Sequence, residues 1–334
     1  MQNTTACHLD VRAARFDLGT VKEWSQLEDG LINLSFKVKT ERGNFVLQRL
    51  SSLWNEKVID DYISVQRYLR TNGLFVPVLL PSKEGAFFCR EDGFLWRAFE
   101  YVPHDTVQTP TPIIAYEAGR MLGRFHRLMD HMNFQPTFSL EGFHDTLAII
   151  RKLEKTWNRS SSAEKREVAH ESYDFIQTEY NDLCFRMSHS CTGIIHGDPK
   201  LLNFLFKENK AVALLDLDTM MKGSRLLDIG DALRSWSRVK PSTSEFLPNV
   251  FHSAYQGYVA ESEWIRYSRE EVRKAAGYVT LELSARYLTD YFEESYFPLK
   301  STYRNRAEQN LARCRRYLEY YRNLMEDTRS CLLL

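Results

Sequence analysis

The sequence predicts an α+β fold in two lobes: a small antiparallel sheet with one helix over residues 1–102, and a larger, mainly helical lobe over residues 103–334. Three observations predict it. Up to Tyr101, apolar and polar residues mostly alternate between tight turns, the period-2 signature of strands with one buried face. After Val102-Pro103-His104-Asp105 the apolar spacing changes to that of helices. A chain of 334 residues is also long enough for two lobes around a cleft.

In chain order, Leu31 to Lys39 reads as a strand with Ile32, Leu34, Phe36 and Val38 on one face. Glu41-Arg42-Gly43-Asn44 turns the chain, and Phe45 to Leu50 returns. Apolar positions at Val58, Ile59, Tyr62, Ile63, Val65 and Leu69 predict a helix that Asn72-Gly73 ends. Two more strands follow, near Ala86 to Cys89 and over Phe94 to Tyr101, split by the turn Glu91-Asp92-Gly93. Val102 to Asp105 reads as the hinge between the lobes. Beyond it helices are expected over 112–132, 143–157, 163–188, 226–239, 271–294 and 303–325, with short strands framing residues 195–218.

Composition excludes several function classes. Lys plus Arg equals Asp plus Glu at 44 each, so no global field draws the chain to nucleic acid or to an acidic membrane. The six cysteines (Cys7, Cys89, Cys184, Cys191, Cys314, Cys331) form no C-x-x-C pair, which suits free thiols in a reducing cytoplasm. There is no basic-then-apolar leader and no apolar run of membrane-spanning length, so a cytoplasmic protein is expected. Cys331-Leu332-Leu333-Leu334 has the form of a prenylation box but reads as a hydrophobic tail, since nothing else in the sequence signals a membrane.

The chemistry is concentrated in I-H-G-D-P-K-L-L-N-F-L-F, from Ile195 to Phe206, and A-L-L-D-L-D, ending at Asp218. Asp198 can orient an attacking hydroxyl and accept its proton. Asn203, five residues on, and Asp216, after an apolar strand, offer hard oxygen ligands of the kind Mg²⁺ prefers. Lys200 projects beside Asp198 and can neutralise charge on a transferring phosphoryl group. Together these residue types suit phosphoryl transfer. The order Asp-x-Lys-x-x-Asn, then Asp after a strand, resembles the catalytic and metal loops of protein kinases. No D-F-G, A-P-E or early G-x-G-x-x-G is present, which points away from protein substrates and toward a small-molecule acceptor. His196 and His126 read as structural contacts, not as catalytic groups or ligands.

Further strings extend the resemblance: G-L-I-N at residues 30–33, F-V-L-Q-R-L at 45–50, V-I-D-D-Y at 58–62 and F-L-W-R-A-F-E-Y at 94–101. G-F-H-D-T at 142–146, D-I-G-D-A-L-R at 228–234 and E-L-S-A-R-Y-L-T-D-Y at 282–291 continue it. Over most of its length the chain resembles the aminoglycoside phosphotransferase and choline kinase superfamily, and within it the N-acetylhexosamine 1-kinases. That resemblance implies a two-lobed protein-kinase-like fold using ATP and Mg²⁺. It implies Asp198 as general base, Asn203 and Asp216 as metal ligands and Asp218 as an auxiliary metal or supporting carboxylate. Arg49 would be the phosphate cation, paired with Asp60 or Asp61, although it also suits an ordinary surface strand. Gly30 and Asn33 would belong to the loop over the phosphates, with Glu100 and Val102 touching the nucleotide at the hinge. Arg286 and Tyr296 either face the sugar or pack on their helix, and beside Phe143, His144 either borders the acceptor pocket or caps the helix starting there.

The function expected is phosphorylation of the anomeric hydroxyl of an N-acetylhexosamine. The alternatives are the same chemistry on choline, homoserine, a thioribose or an aminoglycoside, or a nucleotide-binding pseudokinase. The partners expected are a small-molecule sugar and a nucleotide, with no nucleic acid and no membrane.

Overall fold

The computed structural model describes residues 2–27, 33–107, 109–187, 192–239, 243–262 and 267–327, with side chains of 2–8 and 184–187 left aside. Gly30, Leu31, Ile32 and the Cys331 to Leu334 string therefore lie outside the described residues. Packing divides the chain into two compact units, Met1–Thr106 with Met132–Ser139 and Leu202–Asp218, and Val107–His131 with Leu140–Leu201 and Thr219–Leu334.

The first unit opens with helix α1 (Gln2–Arg15). Then come strands β1 (Val21–Leu27), β2 (Leu34–Thr40) and β3 (Gly43–Arg49), helix α2 (Glu56–Thr71), and strands β4 (Leu79–Leu80), β5 (Cys89–Glu91) and β6 (Phe94–Glu100). The strands make one antiparallel sheet in the order β1-β2-β3-β6-β4, with β5 on β6. Alternation along them puts Phe36, Val38, Leu47, Trp96 and Ala98 in one core with Leu9 and Ala13 of α1 and Phe16 just after it. Ser35, Gln48 and Arg97 sit between these positions in the strand sequence, so they project from the other face. In α2 the Asn55 side chain accepts from the Lys57 amide, and Val58, Ile59, Tyr62, Val65 and Leu69 form the buried stripe.

Two later segments pack with the first unit. Residues 132–139 join the first unit because Asp61 accepts from the Thr137 and Phe138 amides at 3.0 Å each, and Trp54 packs on Phe138. A hairpin of β8 (Phe204–Lys207) and β9 (Lys210–Leu214) joins it through an Asp105–Phe206 bridge and the Leu214 amide on the Phe75 carbonyl, 3.0 Å.

The second unit contains helices α3 (Pro112–His131), α4 (Thr146–Arg159), α5 (Ala163–Met187), α6 (Arg225–Trp236), α7 (Pro248–Glu261), α8 (Arg269–Glu293) and α9 (Arg306–Glu326). Strand β7 (Thr192–Ile195) pairs with β10 (Met221–Ser224). Helices α3 and α7 pack backbone to backbone, because a Cβ at Gly119 would overlap the Ala254 carbonyl and one at Gly257 the Tyr116 carbonyl. No helix among the described residues is long and apolar enough to cross a membrane. The α+β class is the one expected. Among the described residues, α1, β1, β4 and α7 were not read from the sequence. Strand β1 is half exposed with no clean alternation, which leaves pattern reading nothing to detect.

Candidate active site

In the first unit, the β8–β9 hairpin explains the spacing of the expected metal ligands. Asn203 precedes β8 and Asp216 follows β9; Phe204 pairs with Leu214, and the Leu215 amide donates to the Asn203 carbonyl at 2.8 Å. Antiparallel pairing thus returns Asp216 to the level of Asn203. Asp216 adopts φ +60, a left-handed conformation costly for a residue with a side chain and of the kind concentrated at functional sites. Two residues on, Asp218 is buried: Oδ2 accepts from Arg97 Nη2 at 2.6 Å and from Asn33 Nδ2 at 3.1 Å, while buried Oδ1 has no hydrogen-bond partner among the described residues.

Arg97 is 2 % exposed and also donates from Nε and Nη2 to Gln48 Oε1, at 2.8 and 2.6 Å. The Gln48 amide donates to Ser35 Oγ at 2.9 Å, and Asn33 Oδ1 accepts from the Ser51 amide at 3.0 Å. A polar network therefore covers the sheet face opposite α1, with Asp218 as its carboxylate. Asn33, expected at the nucleotide phosphates, has both ends of its carboxamide engaged here.

Arg49, expected at the nucleotide phosphates, lies on the other face of the sheet from this network. Arg49 shares its sheet face with Leu47 and stacks over the Phe94 ring at 4.2 Å, on the side away from Gln48 and Arg97. Among the described residues it pairs with neither Asp60, which is exposed, nor Asp61, which is buried and held by residues 137–138. Neighbouring strand residues face opposite ways, so a one-residue difference moves the cation to the other side. We expect Arg49→Ala to cost only about 0.5–1 kcal/mol in urea unfolding, the worth of an exposed cation–π contact. Glu100 is exposed at the end of β6, and Val102 is half-buried with its carbonyl accepting from His104 Nδ1 at 2.8 Å.

In the second unit, the loop carrying Asp198 is held from all sides. Asp228 on α6 accepts from the His196 amide at 3.0 Å, the Gly197 amide at 2.9 Å and His126 Nε2 at 2.8 Å. Thr219 Oγ1 donates to the His196 carbonyl at 2.8 Å, and Trp236 Nε1 to the Pro199 carbonyl at 2.9 Å. His196 Nδ1 accepts from the Asp198 amide at 3.3 Å, which makes it a strut within the loop. Gly197 has φ +84 and a Cβ there would overlap the Thr219 carbonyl, so the middle position of H-G-D admits only glycine. Burial alone would raise the Asp228 pKa; the hydrogen bonds from His126 and the Gly197 amide outweigh it and hold the carboxyl below its ordinary range. Burial pushes His126 down, giving a neutral ring that donates from Nε2 to Asp228 and accepts from the Tyr258 hydroxyl at 2.9 Å. Lys200 Nζ lies 2.8 Å from Asp198 Oδ2, both side chains about one-third exposed.

The four expected sugar residues meet in two pairs. Arg286 lies over the Tyr296 ring at 5.8 Å, and both line a recess with Ile149, Lys152, Thr289, Asp290 and Glu293. Phe143 stacks edge-on to His144, with ring centroids 4.4 Å apart. His144 is not a helix cap: Asp145 caps α4 by accepting from the Ala148 amide at 2.9 Å, while His144 has φ +56 and its Nε2 donates to the Gly197 carbonyl at 2.7 Å.

A model of the phosphotransferase enzyme family matches residues 23–264. The chain belongs to that family. Among curated relatives it is similar to a homoserine kinase of Paraburkholderia phymatum, 27% identical over 170 residues, 50% of this chain and 52% of that one. The chain spans about half the length of the first curated relatives it matches. Solved structures show the same fold: an aminoglycoside phosphotransferase from Alicyclobacillus acidocaldarius (TM-score 0.64, 14% identity, 97% of this chain and 96% of that one) is one. A microcompartment-associated aminopropanol kinase is another (TM-score 0.63, 16% identity, 92% and 95%). For a phosphotransferase chain, two structurally central residues went unassigned in sequence reading. Asp228 stood within the quoted D-I-G-D-A-L-R string without a role, and Arg97 within F-L-W-R-A-F-E-Y; a charged residue inside an otherwise apolar strand was the signal available for the latter.

The family's metal can be tested against these residues. Among the described residues no three His, Cys, Asp or Glu side chains cluster as metal ligands. Mg²⁺ held by nucleotide phosphates needs only one or two protein ligands, and the Asn203–Asp216 pair, with the unpartnered Asp218 Oδ1 behind it in sequence, fits that demand.

Proposed function

We propose that the protein is an ATP-dependent small-molecule kinase that phosphorylates the anomeric hydroxyl of an N-acetylhexosamine, giving a sugar 1-phosphate. Family membership supports phosphoryl transfer to an alcohol. The observation that carries the choice of a neutral acceptor is the engagement of every carboxylate near Arg286. Glu282 accepts from Thr146 Oγ1 at 2.6 Å and faces His144 Nδ1 at 3.4 Å. Asp290 accepts from the amides of Ser295, Tyr296 and Phe297 and from Asn310 Nδ2. Glu293 pairs with Lys152 at 2.8 Å and Glu294 with Lys165 at 2.8 Å. An ammonium group would find Arg286 there beside carboxylates that already face partners of their own, whereas hydroxyl and acetamide oxygens suit the guanidinium and a pyranose face suits the Tyr296 ring.

In this reading Asp198 aligns the sugar hydroxyl and takes its proton as the γ-phosphoryl group leaves ADP. Lys200, already on Asp198, keeps the carboxylate oriented and lends positive charge to the transferring group. Asn203 and Asp216 would hold Mg²⁺, which when bound screens the charge of the nucleotide phosphates. Arg97 and Gln48, not Arg49, lie on the polar sheet face with Asp218, so they replace Arg49 in our assignment of the polar groups nearest the nucleotide.

The homoserine kinase relatives favour a second reading, in which Arg286 binds the carboxylate of an amino-acid alcohol. The two separate in one experiment: incubation with ATP and Mg²⁺ against N-acetylglucosamine, N-acetylgalactosamine, glucose, choline and homoserine, read by phosphorus NMR. We expect a 1-phosphate from an N-acetylhexosamine. An O-phosphoester from homoserine alone would replace the sugar assignment and keep the phosphotransferase reading.

A further inference from the structure

His144 is positioned to do more than border an acceptor. Its Nε2 is 2.7 Å from the Gly197 carbonyl oxygen, one residue before Asp198, and its Nδ1 is 3.4 Å from Glu282 Oε1. A carbonyl only accepts hydrogen bonds, so Nε2 carries hydrogen; a carboxylate facing Nδ1 at ion-pair distance favours hydrogen there too, which makes the ring an imidazolium. Glu282 is itself fixed: the Thr146 hydroxyl donates to Oε2 at 2.6 Å, and Oε1, which makes no hydrogen bond, is 4.0 Å from Arg286 Nη1. The ring is held in a left-handed backbone position, φ +56, which a residue with a side chain keeps only when its surroundings require it.

We infer that His144 is a positioning residue: an imidazolium strut, anchored on Glu282, that holds the Gly197 carbonyl and through it the orientation of Asp198. The same Glu282 faces Arg286, so one buried carboxylate links the catalytic loop to the acceptor recess. The groups facing His144 are Glu282 on α8 and Asp231 on α6, whose carboxylate also pairs with Arg234 at 2.6 Å. Burial alone would lower the His144 pKa; Glu282, then Asp231 and the Gly197 carbonyl, outweigh it and raise it to about 9. A raised histidine stabilises the fold fully below its unfolded pKa near 6.5, and that contribution is lost as pH rises through about 9.

The inference rests on the kinase reading only for the rate it predicts, so two measurements separate the failures. Nitrogen-15 NMR of the histidine-labelled full chain, with His144→Gln assigning the signal, reports the ring without any substrate. We expect both nitrogens protonated at pH 7.5, titrating near 9. Nitrogen shifts of a neutral ring at pH 7.5 would overturn the strut whatever the enzyme's substrate. With the acceptor that the phosphorus NMR assay identifies, His144→Ala should lower kcat about 10–100-fold, the worth of a charge-assisted hydrogen bond, and leave KM for ATP unchanged. His144→Gln keeps a donor toward Gly197 without a titrating proton; it should recover much of kcat and lose the alkaline limb near pH 9. Equal losses in both variants, with the alkaline limb intact in His144→Gln, would mean that His144 merely packs. A protonated ring in a chain that phosphorylates nothing would leave the strut standing and reject the kinase reading.

Discussion

Replacing Asp198 with Asn is expected to lower kcat by about 10²–10⁴-fold, the contribution of a positioned general base, while Mg·ATP still raises the melting temperature. The side chain keeps its shape, but the amide can no longer accept a proton from the acceptor hydroxyl. Little stability should change. Asp198 and Lys200 are each about one-third exposed, so their ion pair is screened and worth at most about 1 kcal/mol. A coupled assay of ADP release beside a thermal-shift titration with ATP separates the two quantities. Turnover within about tenfold of the parent chain would remove Asp198 from the role of base. Loss of the ATP-induced shift would mean that the substitution had damaged nucleotide binding instead of chemistry.

Asp228→Ala should cost about 3–5 kcal/mol of folding stability, because it strips one carboxylate from three donors that have turned away from water to reach it. The His196 and Gly197 amides and His126 Nε2 would be left in a buried space with no acceptor. Asp228→Asn retains one carbonyl oxygen and should cost less, about 1–3 kcal/mol. Urea unfolding at neutral pH measures both. The charge adds a pH signature: since the folded Asp228 pKa lies below the unfolded one, its stabilisation is complete above the unfolded pKa and is lost as pH falls through the folded value. The parent chain should therefore lose stability toward acid more steeply than Asp228→Asn. A cost below about 1 kcal/mol for Asp228→Ala would mean that water or a shifted loop satisfies the donors.

Local signals carried much of the fold. The stripe Val58, Ile59, Tyr62, Val65 and Leu69 with its Asn72-Gly73 stop is the observed α2, because a helix is built from contacts within a turn or two of chain. The turn at Glu41-Arg42-Gly43-Asn44 is the β2–β3 connection for the same reason. Helix α4 begins three residues later than the apolar spacing suggested, since Asp145 provides the cap and His144 is drawn out to Gly197. Within the described side chains helix α1 gives the apolar core only Leu9 and Ala13, with Phe16 just beyond it, too short a pattern to distinguish from chance.

By itself the sequence determined the residue types and intervals of the phosphoryl-transfer string. The hairpin that brings Asp216 back beside Asn203 follows from residues close together in the chain. The tertiary structure decided the partner of each charge. Arg97 meets Asp218 across 121 positions, His126 meets Asp228 across 102, and His144 faces Glu282. Which strand face a cation occupies, and which of several carboxylates is already engaged, depends on register and packing between distant segments. No local period encodes those pairings, so Arg49 looked as suitable as Arg97 until the sheet's two faces were resolved.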